Sequence, residues 1–361
     1  MYFFSTEKMS VGYDKKPILE NIEIGVERGE ILTLIGPNGA GKSTILKSIA
    51  KQLDLVAGTA YLDGISLGDI PRNELPRRQA QVFTGRLNTE LMTCRDVVAM
   101  GRYPYTGKFG ILSAENYRTV DEAMELVRIT ALAHTDFNKI SDGQRQRVMM
   151  ARALCQKPEL ILLDEPVTYL DIKHKLEFLS LLQEMARKKN ITVIMSLHEL
   201  DLARKISDKI LCIDENGAER YGAPEEIFRD GYITDLFHID TGSYGERSDS
   251  LELEPPKGEP RTFVLAGMGT GMDTFRKLQR QGVPFVTGII YENDLDYPTA
   301  KALAAHIICE APYSSIGDEK LEEAKCWLKR CNNIICCRDR FGEWESGNQK
   351  LYNIINDIQK I

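Results

Sequence analysis

The chain has 361 residues, of which 43% are hydrophobic and 27% charged, with a formal net charge of −7. That length accommodates two or three domains, and the apolar share supports a sizeable core, which excludes general disorder. The mild acidity excludes the overall basic charge of a typical nucleic-acid binder, and no run of about 18 apolar residues is present to span a membrane as a helix.

The N-terminal stretch MYFFSTEKMSVGYDKKP lacks the charged region and long apolar segment of a cleavable signal peptide. Eight cysteines without such a signal suggest reduced thiols in a cytoplasmic protein. Up to about Gly29, short strand-like runs alternate with turns. EILTLI (residues 30–35) is a buried-strand pattern, followed by a glycine-rich loop and the helical run KSTILKSIAKQL. GTAYLDG (residues 58–64) predicts a strand with glycine at both ends. Residues 114–134 show helical spacing at Tyr117, Val120, Ala123, Met124 and Val127, and residues 144–155 predict another helix. ELILLD (residues 159–164) and TVIMSLH (residues 192–198) are apolar strands. Strands alternating with helices imply a mostly parallel α/β sheet.

The character changes at YGERSDSLELEPPKGEP, which is charged, proline-containing and poor in large apolar residues. The expected organisation is a nucleotide-binding domain over 1–242, a linker over 243–260 and a small α/β domain over 261–361. The last part restarts a strand, glycine loop and helix in RTFVLAGMGTGMDTFRKLQRQG. Three further strands are expected in VPFVTGIIY, HIICEAP and NNIICCRD.

The segment GPNGAGKST (Gly36–Thr44) fits the phosphate-loop pattern and has the strand and helix the pattern requires on either side. Its glycines let backbone N–H groups wrap phosphate oxygens, and the helix start favours anions. Lys42 would reach the β- and γ-phosphates of ATP, and Ser43 would ligate Mg²⁺. LILLDEP (Leu160–Pro166) ends an apolar strand in two carboxylates. Asp164 is placed to hold Mg²⁺ and Glu165 to polarise the attacking water. In ISDGQRQRVMMARAL, Ser141 and Gly143 open a second helix start able to bind an anion. An ordinary helix cap is the alternative for that segment alone. Two such sites in one chain suggest ATP shared between two copies.

Taken together, GPNGAGKST, SDGQ, LLDEP and the later His198 resemble the ATP-binding-cassette ATPases over about residues 1–240. The segment GRYPYTGKFG followed by SAEN, with Leu170-Asp171-Ile172, is similar to importer subunits for iron–siderophores, haem or cobalamin. The resemblance implies a P-loop NTPase cassette with an α-helical signature subdomain, and the restarted strand, glycine loop and helix add a small Rossmann-like α/β domain. It implies that Tyr13 stacks on adenine and that Gly36, Asn38, Gly39, Gly41, Lys42, Ser43 and Thr44 form the phosphate loop. Ser141, Gly143 and Gln144 would meet the γ-phosphate held by a second copy, and Asp171 would join the two sites. His198 would contact the γ-phosphate and hold the water. The implied cofactors are ATP and Mg²⁺. The implied partners are a second copy, integral-membrane permease subunits and, indirectly, a substrate-binding protein, with no nucleic acid. The implied place is peripheral, on the cytoplasmic face of the cell membrane.

Two positions depart from the family pattern. Spacing back from TCRDV puts the glutamine expected in the coupling loop at Thr84, and Gln81 substitutes only if the loop is shifted. Asp142 stands where glycine is more usual, and repulsion from phosphate requires it to point outward. A soluble ATPase switch acting on ribosomes or DNA is the competing function. It usually needs two cassettes or a long coiled coil, and no heptad stretch is seen.

In the last domain, Gly267, Gly269 and Gly271 depart from the dinucleotide spacing in their final interval, so tight turns or a regulatory ligand site are both open. Five cysteines lie there without a C-x-x-C pair, which predicts buried or surface thiols and not zinc.

Overall fold

The computed structural model describes residues 2–83, 91–107, 109–214, 217–229, 231–245 and 250–359. The chain divides into two compact units, Met1–Tyr232 and Ile233–Ile361.

The first unit contains a six-stranded sheet in the order Ala218–Gly222, Lys209–Ile213, Ile31–Ile35, Thr192–Ser196, Leu160–Leu163, Gln79–Val82. All neighbours are parallel except the first pair. Every residue of Ile31–Ile35, Leu160–Leu163 and Thr192–Ser196 is buried, as expected for parallel strands covered on both faces. A second, antiparallel sheet is built on Phe4–Tyr13, flanked by Lys16–Ile22 and Ala57–Leu62. The helix Lys42–Ile49 contributes Ile45, Leu46 and Ile49 to a core shared with Phe4, Met9 and Leu62 of that sheet and Leu34, Leu162 and Ile194 of the first. Three further helices, Cys94–Ala99, Ala114–Leu126 and Asp142–Cys155, pack on one another.

The expected helix over 114–134 stops at Leu126. Arg128 adopts φ +59°, a left-handed closure, and the β-branched pair Ile129-Thr130 disfavours continuation. The expected strand over 58–64 is Ala57–Leu62. Asp63 and Gly64 have φ +54° and +74° and form a two-residue turn into Ile65–Ser66.

The second unit has a parallel four-stranded sheet in the order His306–Glu310, Phe285–Tyr291, Thr262–Leu265, Asn333–Cys336. In sequence order this is three, two, one, four, a Rossmann-like winding. Alternation sets up two cores. Phe263 and Leu265 pack with Leu321, Leu328, Leu351 and Ile355, while Val264 and Ala266 pack with Phe275, Leu278, Ala300 and Leu303. Where a linker over 243–260 is expected, Ser243–Gly245 pairs antiparallel with Ser250–Glu252. The charge in this stretch is anchored: Glu252, 8% exposed, pairs with Arg276 at 2.5 Å and accepts from Thr299 Oγ1. Among the described residues no helix is long and apolar enough to cross a membrane.

Candidate functional site

The site begins at the carboxyl end of Ile31–Ile35. Gly36 adopts φ +148°, and a Cβ there would lie 1.9 Å from the Ile213 carbonyl oxygen, so the loop requires glycine at its first position. Gly41, at φ +104°, caps the helix Lys42–Ile49, and its neighbour Leu19 leaves no room for a side chain. Asn38 and Gly39 form the exposed tip, and nothing lies within 4 Å of a Cβ built on Gly39. That is open space in front of a helix N-terminus, the arrangement that accepts phosphate oxygens.

Lys42 is 5% exposed, and its ammonium donates to the carbonyls of Gly36 and Pro37, both at 2.7 Å. Burial pushes its pKa below that of an ordinary lysine, against the opposing pull of the Glu165 and Asp164 carboxylates. Ser43 follows, half-buried, and the Thr44 hydroxyl lies 3.5 Å from that of Tyr13, whose ring is 45% exposed.

Two neighbouring strand ends carry the candidate carboxylates Asp164 and Glu165 and the hydroxyl of Ser196. Leu163 pairs with Met195, so Asp164 and Ser196 emerge side by side. Ser196 Oγ donates to Asp164 Oδ1 at 2.7 Å and accepts from the Glu165 amide at 2.9 Å. Asp164 is 6% exposed. Glu165 adopts φ +49°, a left-handed conformation that costs a non-glycine residue energy and turns the chain sharply after the strand. Its carboxylate contacts His198 Nε2 at 2.5 Å through one oxygen and accepts from Thr168 Oγ1 at 3.2 Å through the other. Ser196 and Thr168 hold these candidate residues, and the sequence patterns did not single them out.

The signature helix Asp142–Cys155 starts with a capping box. Ser141 Oγ accepts from the Gln144 amide at 3.3 Å, and Gln144 Oε1 accepts from the Ser141 amide at 3.0 Å. Asp142 pairs with Arg145 of its own helix at 3.3 Å, and its side chain is 67% exposed. Gly143 faces the His174 ring, 3.2 Å from a Cβ built on it. Asp171 caps Ile172–Lys189 by accepting from His174 N and Nδ1, both at 2.9 Å. These hydrogen bonds hold its carboxyl below the usual range. A cleft of about 260 Å³ runs between Glu165 and the signature helix, lined by Phe83, Asp142, Arg145 and Tyr169.

The Gln81 amide is committed elsewhere: it donates to the Ala50 carbonyl at 3.2 Å and accepts from Gln52 at 2.7 Å. The coupling-loop position, Thr84, lies outside the described residues.

The family model described as "ABC transporter" matches residues 19–168, and that described as "MJ0874 family" matches residues 285–360. An uncharacterized ABC transporter ATP-binding protein of Methanocaldococcus jannaschii is 39% identical, over 78% of this chain and 98% of that relative. The iron(3+)-hydroxamate import ATP-binding protein FhuC of Bacillus subtilis is 35% identical, over 66% of this chain and 89% of that one. A solved dimer of the ATP-binding cassette MJ0796, in a post-hydrolysis state with ADP and Pi bound, matches with a TM-score of 0.54 at 27% identity. It covers 61% of this chain and 98% of that chain. The chain belongs to the ABC transporter ATP-binding proteins and is an ATP hydrolase of that type.

Proposed function

We propose that this ABC transporter ATPase acts as a head-to-tail homodimer with two ATP molecules at its interface. It powers import of a metal chelate, an iron–siderophore, haem or cobalamin, through separate membrane subunits. The observation that carries the reading is the Glu165–His198 pair at 2.5 Å, set beside Asp164 at the ends of neighbouring strands. The import and chelate assignment is supported by the likeness to an iron(3+)-hydroxamate import subunit.

In this mechanism Tyr13 stacks on adenine, while the amides of Gly36, Asn38, Gly39 and Gly41 wrap the phosphates. Lys42 exchanges its two carbonyl partners for the β- and γ-phosphate oxygens. The hydroxyls of Ser43 and Thr44 close the loop, and the oxygen donors Ser43 and Asp164 suit a hard divalent cation. Mg²⁺ bound there supplies positive charge against the phosphate oxygens. Glu165 takes a proton from the attacking water, and His198 orients that water and holds Glu165 in line.

One chain holds one phosphate loop and one signature. The pocket is completed when Ser141, Gly143 and Gln144 of a second copy meet the γ-phosphate. The helix-capping geometry of Ser141 presents its hydroxyl at that helix start. Asp171 sits between the two active sites and passes closure from one to the other. Membrane subunits and a chelate-binding protein read the cargo, so the subunit works peripherally at the cytoplasmic face. Affinity purification of the tagged chain from detergent-solubilised membranes of its own cell tests this. The expected companions are polytopic subunits with a chelate-binding protein. Ribosomal or DNA-bound companions without a membrane protein would overturn the import assignment.

A further inference from the structure

The second unit holds a cavity of about 520 Å³ that the ATPase chemistry does not use. It opens at the carboxyl ends of the parallel strands, and loops following all four of them line it. Met268 follows the first strand, Asp294 the second, Tyr313 and Ser314 the third, and Trp344 the fourth. Open parallel sheets bind ligands in the crevice outside such ends, where the winding reverses. The volume falls in the range of small-molecule sites.

The glycine loop beneath it is not a phosphate cradle, because the chain's own carboxylates fill it. The Gly267 and Gly271 amides donate to Asp296 Oδ2 at 3.0 and 2.8 Å, and the Met272 amide to Oδ1 at 3.1 Å. The Met268 amide donates to Asp294 at 2.7 Å. Asp296 is fully buried, so no polyphosphate reaches these amides without expelling it. Among the described residues lining the cavity, Asp294 alone is charged. An anionic ligand is therefore disfavoured, and a donor group or a cation is favoured.

The remaining wall carries three aromatic rings, Tyr291, Tyr313 and Trp344, with Met268 and the polar Asn293, Ser314 and Ser315. Tyr313 is 99% exposed and Trp344 59%. Tyr313 and Met268 hold φ +62° and +57°. Besides His238, they are the left-handed non-glycine residues described in this unit. A bulky side chain keeps such a backbone only where its surroundings enforce it. Glu310 ties the loop together on either side of Tyr313, accepting from the Ala311 and Gly317 amides at 3.0 Å each. The Tyr291 hydroxyl donates to the Trp344 carbonyl at 3.3 Å, and the adjacent Glu345 is clamped by Arg338 in a pair exposed by 2% and 8%.

We propose that this cavity binds a planar heteroaromatic ligand of nucleoside size, neutral or cationic. It stacks on Tyr313 and Trp344 and presents a donor to Asp294. Most of the wall lies within the segment that matches the MJ0874 family, so the cavity is a property of that segment rather than of the cassette.

Both tryptophans of the chain lie in this unit, and Trp327 packs against His306 instead of lining the cavity. A ligand-induced change in the tryptophan fluorescence of the full chain is therefore assigned to this cavity when Trp344→Phe abolishes it. The probes are adenosine, guanosine and thiamine, each compared with its monophosphate. The expected result is a saturable change with at least one unphosphorylated probe, and binding of its monophosphate roughly ten-fold or more weaker. Tyr313→Ala weakens binding roughly ten-fold through lost stacking, Trp344→Phe abolishes the signal, and Asp294→Asn removes the preference over the monophosphate. Three results overturn the proposal: no saturable change with any probe up to about 5 mM, monophosphates binding as tightly as their parents, or a signal indifferent to Tyr313→Ala.

Discussion

Lys42 shows how burial and charge are traded at a single residue. Its folded-state pKa is lowered by desolvation, so it gives up its proton at a lower pH than the ordinary 10.5. In the window between the lowered value and 10.5 the unfolded chain binds more protons, so this residue makes folding stability rise with pH there. ATP binding responds with the opposite sign. The triphosphate needs the ammonium, so affinity falls as pH rises through the lowered pKa and binding takes up a proton. Lys42→Arg keeps its charge, so its pH slope is flatter even though a planar guanidinium fits the loop less well. Calorimetric ATP titrations from neutral pH up to the ordinary lysine value of 10.5 check this. A wild-type affinity that does not change over that range contradicts it. Lys42 was proposed from the phosphate-loop spacing, and Glu165 and His198 from the order of the motifs along the chain. Ser196 was not. In sequence it is one small residue in an apolar strand, and only the pairing of Leu163 with Met195 brings it against Asp164.

At the scale of elements, the strand, loop and helix from Ile31 to Ile49 were legible throughout, because glycine positions and apolar runs agree there. The turn at Asp63-Gly64 was absorbed into a strand, although that dipeptide is a strong hairpin signal. The hairpin within 243–260 was obscured because its charged residues read as solvated. The partner of Glu252, Arg276, lies far along the chain. Ser141, the N-cap of the signature helix, is also the residue proposed to meet the partner's γ-phosphate. Ser141 caps the helix, so Ser141→Ala costs about 1 kcal/mol of stability, readable by denaturant unfolding. Ser141→Asn retains a capping side chain and restores most of that stability. If Ser141 also meets the partner's γ-phosphate, Ser141→Asn remains defective in hydrolysis. A Ser141→Asn chain with full activity would reduce this residue to a cap.

At the scale of the whole molecule, the first unit holds the cleft beside Glu165 and the signature helix, and the second unit holds a cavity of its own. The central claim is that two cassettes close on ATP and that Glu165 drives the hydrolysis that reopens them. Glu165→Gln keeps the size and one acceptor of the side chain but removes the base. The measurement is the mass of the Glu165→Gln chain in solution, by light scattering with Mg²⁺ and ATP and again without nucleotide, alongside its hydrolysis rate. The account predicts a monomer without ATP, a stable dimer with it, and hydrolysis reduced by roughly 10²–10⁴-fold. A chain that stays monomeric with ATP bound, or hydrolyses it at the wild-type rate, contradicts the account.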